Sequence, residues 1–257
     1  MTAPTLQSRP RPVGAVSRRR RALDVTVACT TLVLLLPVLV VAALAVRLSG
    51  PGPVVFRQLR LTRGHVPFTM YKFRTMSVGT GGPEVTRKGD PRITRAGALL
   101  RRTSIDELPQ LLNVLRGQMT LVGPRPETPA LGTRYPASLQ WVLDETPGLT
   151  GPAQITLRDD VTVGPQASGP RRPGQPVQDV SAEDTDDRAP DDVGPEELER
   201  WYLEQLVPLR VAADWTYLRR PSLGATLRVL AMTARYLVTG RSPRTALGGF
   251  GAGRTGR

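Results

Sequence analysis

Two adjacent acidic residues, Asp106 and Glu107, lie in a stretch of the chain that is otherwise rich in arginine. Arg101 and Arg102 precede the pair, and Arg125 follows it between two prolines in the sequence GPRP. A planar guanidinium suits phosphate oxygens, and the backbone N–H groups at the start of a helix also favour anions. In such surroundings one carboxylate can attack phosphorus while its neighbour holds a magnesium ion that neutralises a diphosphate. The residue types at this site therefore fit phosphate chemistry.

The same acidic residues also fit a structural role. The region 90–115 has a helical pattern, in which Ser104 and Glu107 have the S-x-x-E spacing of a capping box. Asp106 would favour the positive end of the helix dipole, and Gly117 would end the helix. The apolar face of the pattern consists of Ile93, Ala96, Leu99 and Leu100. Spacing alone leaves the catalytic and the capping interpretations open.

Composition narrows the classes of partner. The chain has 257 residues, 40% of them hydrophobic, which is enough for a globular core. Its net charge of +13 favours an anionic partner: nucleic acid, a phosphate-bearing substrate or an acidic membrane surface. Nucleic acid is disfavoured because only 5% of residues are aromatic and no helix-turn-helix pattern is visible. The single cysteine, Cys29, excludes an internal disulfide and fits a reduced, cytoplasmic setting.

One segment is apolar enough to enter a membrane. About 22 uncharged residues, 25–46, match the thickness of a hydrocarbon core. Arginines flank the segment on both sides, whereas a spanning helix should collect them on one side. Pro37, near the middle, removes a helical hydrogen bond and predicts a bend. From these residues alone, a re-entrant helix and a spanning helix remain alternatives.

Beyond the membrane segment the pattern changes to strands. Val54–Leu61 and Val66–Phe73 predict a β-hairpin, with Gly64 and His65 in its turn. His65, the only histidine, is therefore interpreted as a solvated loop residue. There is no zinc-binding cluster, Walker loop or GxGxxG motif, so a metal would be an oxygen-bound ion such as magnesium.

Two helices are predicted near the C-terminus, in EELERWYLEQL and PSLGATLRVLAMTARYLVTGR. The second helix carries an apolar stripe that consists of Leu223, Leu227, Leu230, Ala234 and Leu237. Core packing is one interpretation of this stripe. Location in a membrane interface is the other, supported by Trp215, Tyr217 and the surrounding arginines.

Several motifs together resemble one family, the monotopic bacterial sugar transferases, which are polyprenyl-phosphate phosphoglycosyl transferases. The matching motifs are SGPGPVVFRQ, YKFRTM, DPRITRAGALLRRTSIDELPQLLNVLRGQMTLVGPRPE and TPGLTGPAQI. The resemblance covers most of 18–158 and resumes at about 214–240. Between these parts lies an acidic insert that departs from the family pattern.

The resemblance implies roles for individual residues. Asp106 and Glu107 match the family's catalytic pair, with Asp106 as the nucleophile and Glu107 as the ligand of Mg²⁺. Pro37 matches the proline that breaks a re-entrant membrane helix. The residues assigned to binding of the substrate phosphates are Arg101, Arg125, Lys72 and Arg74.

The expected fold is an α/β catalytic domain, small and membrane-anchored, with an N-terminal re-entrant membrane helix, a short β-hairpin and amphipathic interfacial helices. The predicted boundaries are a basic disordered tail (1–17), the membrane helix (18–48), the catalytic core (49–158), an acidic disordered insert (159–200), C-terminal helices (201–240) and a flexible tail (241–257).

The resemblance also implies an activity and partners. The enzyme would transfer a sugar 1-phosphate from a nucleotide diphosphate sugar, expected to be a UDP-sugar, to polyprenyl phosphate on the cytoplasmic face of the plasma (inner) membrane. UMP would be released through a covalent phosphosugar-aspartate intermediate, and the product would initiate exopolysaccharide or glycoconjugate assembly. The expected partners are the lipid, the nucleotide sugar and an anionic membrane surface, with no nucleic acid; a homo-oligomer is left open. The alternative is a non-catalytic membrane-bound partner in a polysaccharide synthesis complex.

Overall fold

A computed structural model describes residues 16–79, 90–157 and 195–240. Residues 1–15 of the predicted N-terminal tail (1–17), residues 159–194 of the predicted acidic insert (159–200) and the whole predicted C-terminal tail (241–257) lie outside these described residues. The helices are α1 (Arg18–Leu34), α2 (Leu36–Leu48), α3 (Arg95–Thr103), α4 (Leu111–Leu115), α5 (Pro129–Gly132), α6 (Pro152–Thr156), α7 (Pro195–Trp201), α8 (Val207–Leu218) and α9 (Leu223–Thr239). The strands are β1 (Val55–Thr62), β2 (Val66–Phe73), β3 (Thr120–Val122) and β4 (Gly148–Thr150). The described part of the chain is thus a mixture of helices with two small sheets, which agrees with the predicted α/β class.

The N-terminal apolar segment forms two helices that meet at an angle of 65°. The break lies at Leu35, and Pro37 is in the first turn of α2, where its missing N–H costs no intrahelical hydrogen bond. The bend predicted near Pro37 is therefore confirmed. Among the described residues, no single helix has the length and hydropathy of a membrane span; only α1 and α2 taken together reach them.

The start of α1 is embedded in the globular part of the protein. Asp24 is 1% exposed, and its carboxylate accepts hydrogen bonds from the Thr120 hydroxyl at 2.6 Å and the Leu121 amide at 3.1 Å. Arg20 donates to the Val122 carbonyl, while Arg21 donates to carbonyls at the end of α4. These two arginines, which the sequence suggested as charged flanks of a membrane segment, therefore also bind the helix to the core.

The predicted β-hairpin is confirmed. Strands β1 and β2 pair antiparallel from Val55 opposite Phe73 to Thr62 opposite Val66. Gly64 and His65 both adopt positive φ in the turn, at 70° and 62°. The His65 ring is half exposed and lies 3.5 Å from the Asp144 carboxylate, on the surface, as the sequence interpretation required.

The second sheet was not predicted. Its strands, β3 and β4, are parallel and only three residues long. The backbones come together at Gly123 and Gly148, where a Cβ on Gly148 would lie 2.0 Å from the Gly123 nitrogen. Gly123 donates to Thr150 and Gly148 donates to Pro124, which fixes the start of the GPRP loop. This small sheet therefore positions Arg125.

The C-terminal helices pack on the same core, but α9 does so with only part of its surface. Thr226 and Val229 are buried, and Tyr217 hydrogen-bonds to Thr226. The exposed large apolar residues of the helix are Leu223, Leu227, Leu237 and Val238. Core packing therefore fails to explain most of the predicted stripe.

Helix α7 begins at Pro195, inside the range predicted as insert.

Candidate active site

The acidic pair lies where the chain turns between two helical segments. Helix α3 begins after Thr94, whose hydroxyl accepts from the Gly97 amide at 2.9 Å, and it ends at Thr103. Ser104 then takes the left-handed conformation, at φ 60°, and a 3₁₀ helix spans Ile105–Gln110. The pair thus occupies the first turn of this 3₁₀ helix.

The predicted capping box is wrong. The Ser104 side chain makes no capping hydrogen bond, because a capping residue needs extended backbone and Ser104 is left-handed. What remains is a backbone turn, in which the Glu107 amide donates to the Ser104 carbonyl at 3.2 Å. The continuous helix expected over 90–115 is likewise divided into α3, the 3₁₀ helix and α4. Gly117 does follow the end of α4 with a positive φ, as expected.

The two acidic side chains occupy different environments. Asp106 is 7% exposed, whereas the Glu107 side chain is 34% exposed. Glu107 lies 3.9 Å from a guanidinium nitrogen of Arg125, which brings together residues that are 18 positions apart in the chain. Adjacent carboxylates in such different surroundings can take different chemical roles.

A cleft joins Glu107 to two of the four predicted phosphate-binding residues, Arg125 and Lys72. Its charged lining consists of Glu107, Arg125, Lys72 and Arg60. Two neutral amides, Gln110 and Gln154, complete the polar lining. Gln154 lies on α6, whose Ala153 amide donates to the buried carboxylate of Asp214 on α8 at 2.9 Å. The cleft therefore combines cations for phosphate with amides that can bind hydroxyl or amide groups.

Arg101 lies beside the same acidic pair. Its Nε donates to the Thr75 hydroxyl at 2.8 Å, which holds the end of α3 against the end of β2. Burial lowers the pKa of Arg101, and the negative charges of Asp106 and Asp90 oppose that effect. Gly97 makes this packing possible, since a Cβ there would lie 2.1 Å from the Thr75 carbonyl oxygen. Arg101 is thus within electrostatic reach of Asp106.

Lys72 is a cleft residue whose pKa lies well below its usual value. Its pKa falls to about 8, chiefly because burial disfavours the ammonium, and further because Arg125, Arg60 and Arg101 surround it. The ammonium also lies over the Phe56 ring, 5.2 Å from the centroid. A cation held among other cations suits a site that receives a multiply charged anion.

This pKa predicts how activity should depend on pH. Lys72 is protonated below about pH 8 and loses its charge above it, so we expect kcat/KM for an anionic donor to fall as pH rises through that value. In Lys72→Arg the guanidinium stays charged, and this alkaline decline should disappear. Parallel pH profiles of the two enzymes test this; an identical decline in both would assign it to another group.

Arg74 is not brought to the cleft, contrary to its predicted role. It is buried, and its guanidinium donates to the carbonyls of Val46 at 2.9 Å, Gly50 at 2.7 Å and Pro51 at 2.5 Å. These carbonyls belong to the end of α2 and the loop after it, so their hydrogen bonds occupy the nitrogens expected to bind phosphate. Arg74 therefore attaches the end of the bent helix pair to β2.

Sequence reasoning missed three polar residues of the cleft lining. Gln110 and Gln154 lay inside motifs that had been recognised, SIDELPQ and GPAQI, but their uncharged side chains gave no chemical signal. Arg60 was counted only among the arginines that follow the membrane segment. Arg60 lies within the predicted strand Val54–Leu61, but the sequence did not show that its side chain lines the cleft.

The donor groups near the cleft are oxygen ligands of the kind that the predicted magnesium ion would use. Within the described residues, no group of three or more His, Cys, Asp or Glu side chains could hold a metal. Magnesium needs fewer protein ligands, since it commonly binds one or two carboxylates and takes its remaining ligands from water and substrate phosphates. Glu107, the predicted magnesium ligand, offers one partly exposed carboxylate at the cleft.

Comparison with known proteins agrees with the motifs. The sequence profile of the family described as "Bacterial sugar transferase" matches residues 16–169. The chain is 49% identical over 151 residues to a UDP-glucose:undecaprenyl-phosphate glucose-1-phosphate transferase of Caulobacter vibrioides, covering 57% of each chain. It is 45% identical over 150 residues to the protein of the same name in Escherichia coli, covering 56% of this chain and 32% of the relative.

A third relative differs in its sugar. It is the UDP-N-acetylgalactosamine-undecaprenyl-phosphate N-acetylgalactosaminephosphotransferase of Aeromonas hydrophila, 36% identical over 151 residues, with coverage of 57% of this chain and 35% of the relative. The chain thus spans between about a third and just over half of the length of these three relatives. Their names share a phosphotransfer to undecaprenyl phosphate but not the sugar.

Proposed function

Because the chain belongs to the bacterial sugar transferase family, we propose that it transfers a sugar 1-phosphate from a UDP-sugar to undecaprenyl phosphate, the initiating step of exopolysaccharide or glycoconjugate assembly. The observation that carries this proposal is the meeting of Glu107 with Arg125 and Lys72 at one cleft. The adjacent Asp106 is close enough for its charge to interact with both of these cations. The names of the relatives support the lipid acceptor and a nucleotide sugar donor.

In the first step the Asp106 carboxylate attacks the β-phosphorus of the UDP-sugar. A bond forms between the carboxylate oxygen and phosphorus, and the bond from that phosphorus to the bridging oxygen breaks, so that UMP leaves. Arg125 and Lys72 offset the negative charge of the phosphates, and Arg101 does so beside Asp106. The result is an acyl phosphate that joins the sugar phosphate to Asp106.

In the second step a phosphate oxygen of undecaprenyl phosphate attacks the same phosphorus. The acyl phosphate bond breaks, Asp106 regains its carboxylate, and the sugar leaves on a lipid diphosphate. The burial of Asp106 supports this route because it limits access of water, which would otherwise hydrolyse the intermediate.

Magnesium fits the site through Glu107, whose partly exposed carboxylate faces the cleft. The ion would supply positive charge that stabilises the diphosphate and the departing UMP. Glu107 also orients Arg125 through their ion pair, so that the carboxylate contributes in two ways.

The bent helix pair is the proposed membrane anchor. Both of its ends bind the same globular domain, through Asp24 at the start of α1 and through the carbonyls held by Arg74 at the end of α2. Large exposed apolar residues lie between these ends: Val33, Leu34, Leu36, Val40, Val41 and Leu44. A helix pair that leaves and returns to one domain fits re-entry better than a span. The proposed location is the cytoplasmic face of the plasma membrane, where α9 lies in the interface with its exposed apolar residues.

Cysteine labelling tests this topology. In a Cys29→Ser background, single cysteines replace the exposed Arg19, in the first turn of the pair, or the exposed Arg63, after it. If the pair is re-entrant, both cysteines should react only with a reagent that crosses the membrane. Reaction of either one with an impermeant reagent in intact cells would instead indicate a spanning arrangement.

The transferase activity is tested with membranes that contain the protein, undecaprenyl phosphate and a panel of radiolabelled UDP-sugars. Label from at least one sugar should move into the lipid extract, with UMP released in equal amount. Absence of lipid-linked label with every nucleotide sugar tested, from correctly folded protein, would favour the non-catalytic alternative.

A further inference from the structure

A second buried carboxylate lies behind the cleft. Glu127 follows Arg125 by two positions in the chain and is 3% exposed. It takes no part in the proposed steps, and it lies on the side of the loop that faces the protein interior. A buried charge lowers the stability of the folded protein unless it is fully hydrogen-bonded. The hydrogen-bond partners of Glu127 therefore indicate its structural role.

Both carboxylate oxygens of Glu127 accept two hydrogen bonds. Oε1 accepts from Arg60 at 3.3 Å and from the backbone amide of Thr128 at 3.2 Å. Oε2 accepts from the hydroxyl of Tyr135 at 2.9 Å and from the hydroxyl of Tyr202. Only an ionised carboxylate can accept four such bonds on two oxygens, because a protonated acid or an amide would turn one position into a donor.

The partners come from separate parts of the fold. Arg60 belongs to β1, and it also donates to the Pro126 carbonyl at 3.2 Å, next to Arg125. Tyr202 begins the π-helical turn Tyr202–Leu206 after α7, and Arg210 on α8 donates to its hydroxyl at 2.8 Å. The Glu127 carbonyl accepts from the Leu61 amide at 2.8 Å. The carboxylate thus joins the GPRP loop to the hairpin and to the C-terminal helices.

We propose that Glu127 is a positioning residue for Arg125. The Glu127 side chain holds the GPRP loop between β1 and the C-terminal helices, so that the Arg125 guanidinium keeps its place beside Glu107. Prolines at 124 and 126 stiffen the loop but remove two N–H groups that could have anchored it. The side chain of Glu127 adds to the anchorage that the carbonyls of Pro124, Pro126 and Glu127 already provide. The kinetic part of this proposal rests on the proposed transferase function.

The test compares Glu127→Gln with Glu199→Gln, a matched control. Glu199 lies on α7, three residues before Tyr202, but its carboxylate pairs with Arg134 at the surface and makes no contact with Glu127 in the network described above. We expect Glu127→Gln to lower kcat/KM for the UDP-sugar by about tenfold or more, since hydrogen bonds to a buried charge are lost. Glu199→Gln should change it less than about twofold.

A double-mutant cycle separates positioning from general destabilisation. If Glu127 acts through Arg125, adding Glu127→Gln to Arg125→Ala should lower activity by less than about twofold further. Tyr202→Phe, which removes one hydrogen bond only, should show a smaller loss with the same dependence on Arg125. If Glu127→Gln does not fold, Tyr202→Phe alone tests the proposal, because it weakens the same network by one hydrogen bond. A full additional loss in the Arg125→Ala background would overturn the proposal.

Hydrogen exchange gives a readout that is independent of turnover. Deuterium uptake in a peptide covering 119–132 should be faster in Glu127→Gln and Tyr202→Phe than in wild type, and unchanged in Glu199→Gln. If wild type transfers no sugar phosphate, the proposed function fails while this comparison still decides whether Glu127 holds the loop. Unchanged exchange in both network variants would contradict the positioning role.

Discussion

Asp106→Asn should abolish transfer of sugar phosphate to the lipid, with a loss of about 10⁴-fold or more. The neutral amide retains the size of the side chain but cannot form the acyl phosphate. Asp106 lies in the first turn of a 3₁₀ helix, so loss of its charge there should change the free energy of unfolding by no more than about 1 kcal/mol. Initial rates and thermal unfolding of the same preparation measure both quantities.

Asp144→Asn is the matched control for this substitution. Asp144 is a half-exposed acid paired with His65 on the surface, and its replacement should leave the rate within about twofold of wild type. A folded Asp106→Asn protein with a rate near that of wild type would show that the acid is structural. A structural role in a capping box is already excluded, because Ser104 has a left-handed backbone conformation and makes no capping hydrogen bond.

Glu107→Gln should lower the rate by about 100-fold at a fixed magnesium concentration. The substitution removes the carboxylate charge that would hold the cation, and it also breaks the ion pair with Arg125. The magnesium concentration that gives half of the maximal rate should therefore rise, and added magnesium should recover part of the activity.

A magnesium titration of Glu107→Gln beside Glu199→Gln checks this expectation. The control loses a surface carboxylate of the same type and should keep the magnesium dependence of wild type. A loss in Glu107→Gln that is equal at every magnesium concentration would mean that Glu107 acts only by orienting Arg125, and that the ion is held elsewhere.

Local patterns in the sequence were sufficient for the elements that depend on near neighbours. The hairpin follows from two β-branched and aromatic runs around Gly64, and its observed strands differ from the predicted ones by one residue at each end of β1. The bend near Pro37 follows from the chemistry of proline. The acidic pair stood out because two adjacent carboxylates lie in a stretch that is otherwise rich in arginine.

Contacts between distant segments could not be read in the same way. Strands β3 and β4 have three residues each, which is too short for a periodic pattern to be recognised. Arg74 lies in the same motif as Lys72, and regular alternation would place both side chains on one face of a strand. However, β2 ends at Phe73, so Arg74 lies beyond the strand and its guanidinium binds the carbonyls at and after the end of α2, whereas Lys72 lines the cleft. The sequence shows both as cations, and only the folded neighbours distinguish them.

The interior partners of the arginines were hidden for the same reason. Arg20 and Arg60 are buried, although arginines near an apolar segment usually indicate a membrane boundary. Their acceptors lie 102 and 67 positions away, at Val122 and Glu127. An acid that compensates a buried cation at such a distance leaves no local signal, which is why Glu127 emerged only from the fold.

The covalent role of Asp106 is tested most directly by intact-protein mass spectrometry of wild type incubated with a UDP-sugar and no lipid acceptor. The expected result is a mass increase of one sugar phosphate that maps to Asp106, disappears on addition of undecaprenyl phosphate and is absent from Asp106→Asn. Active wild-type protein that never carries the adduct, with kinetics that require both substrates to be bound together, would contradict it.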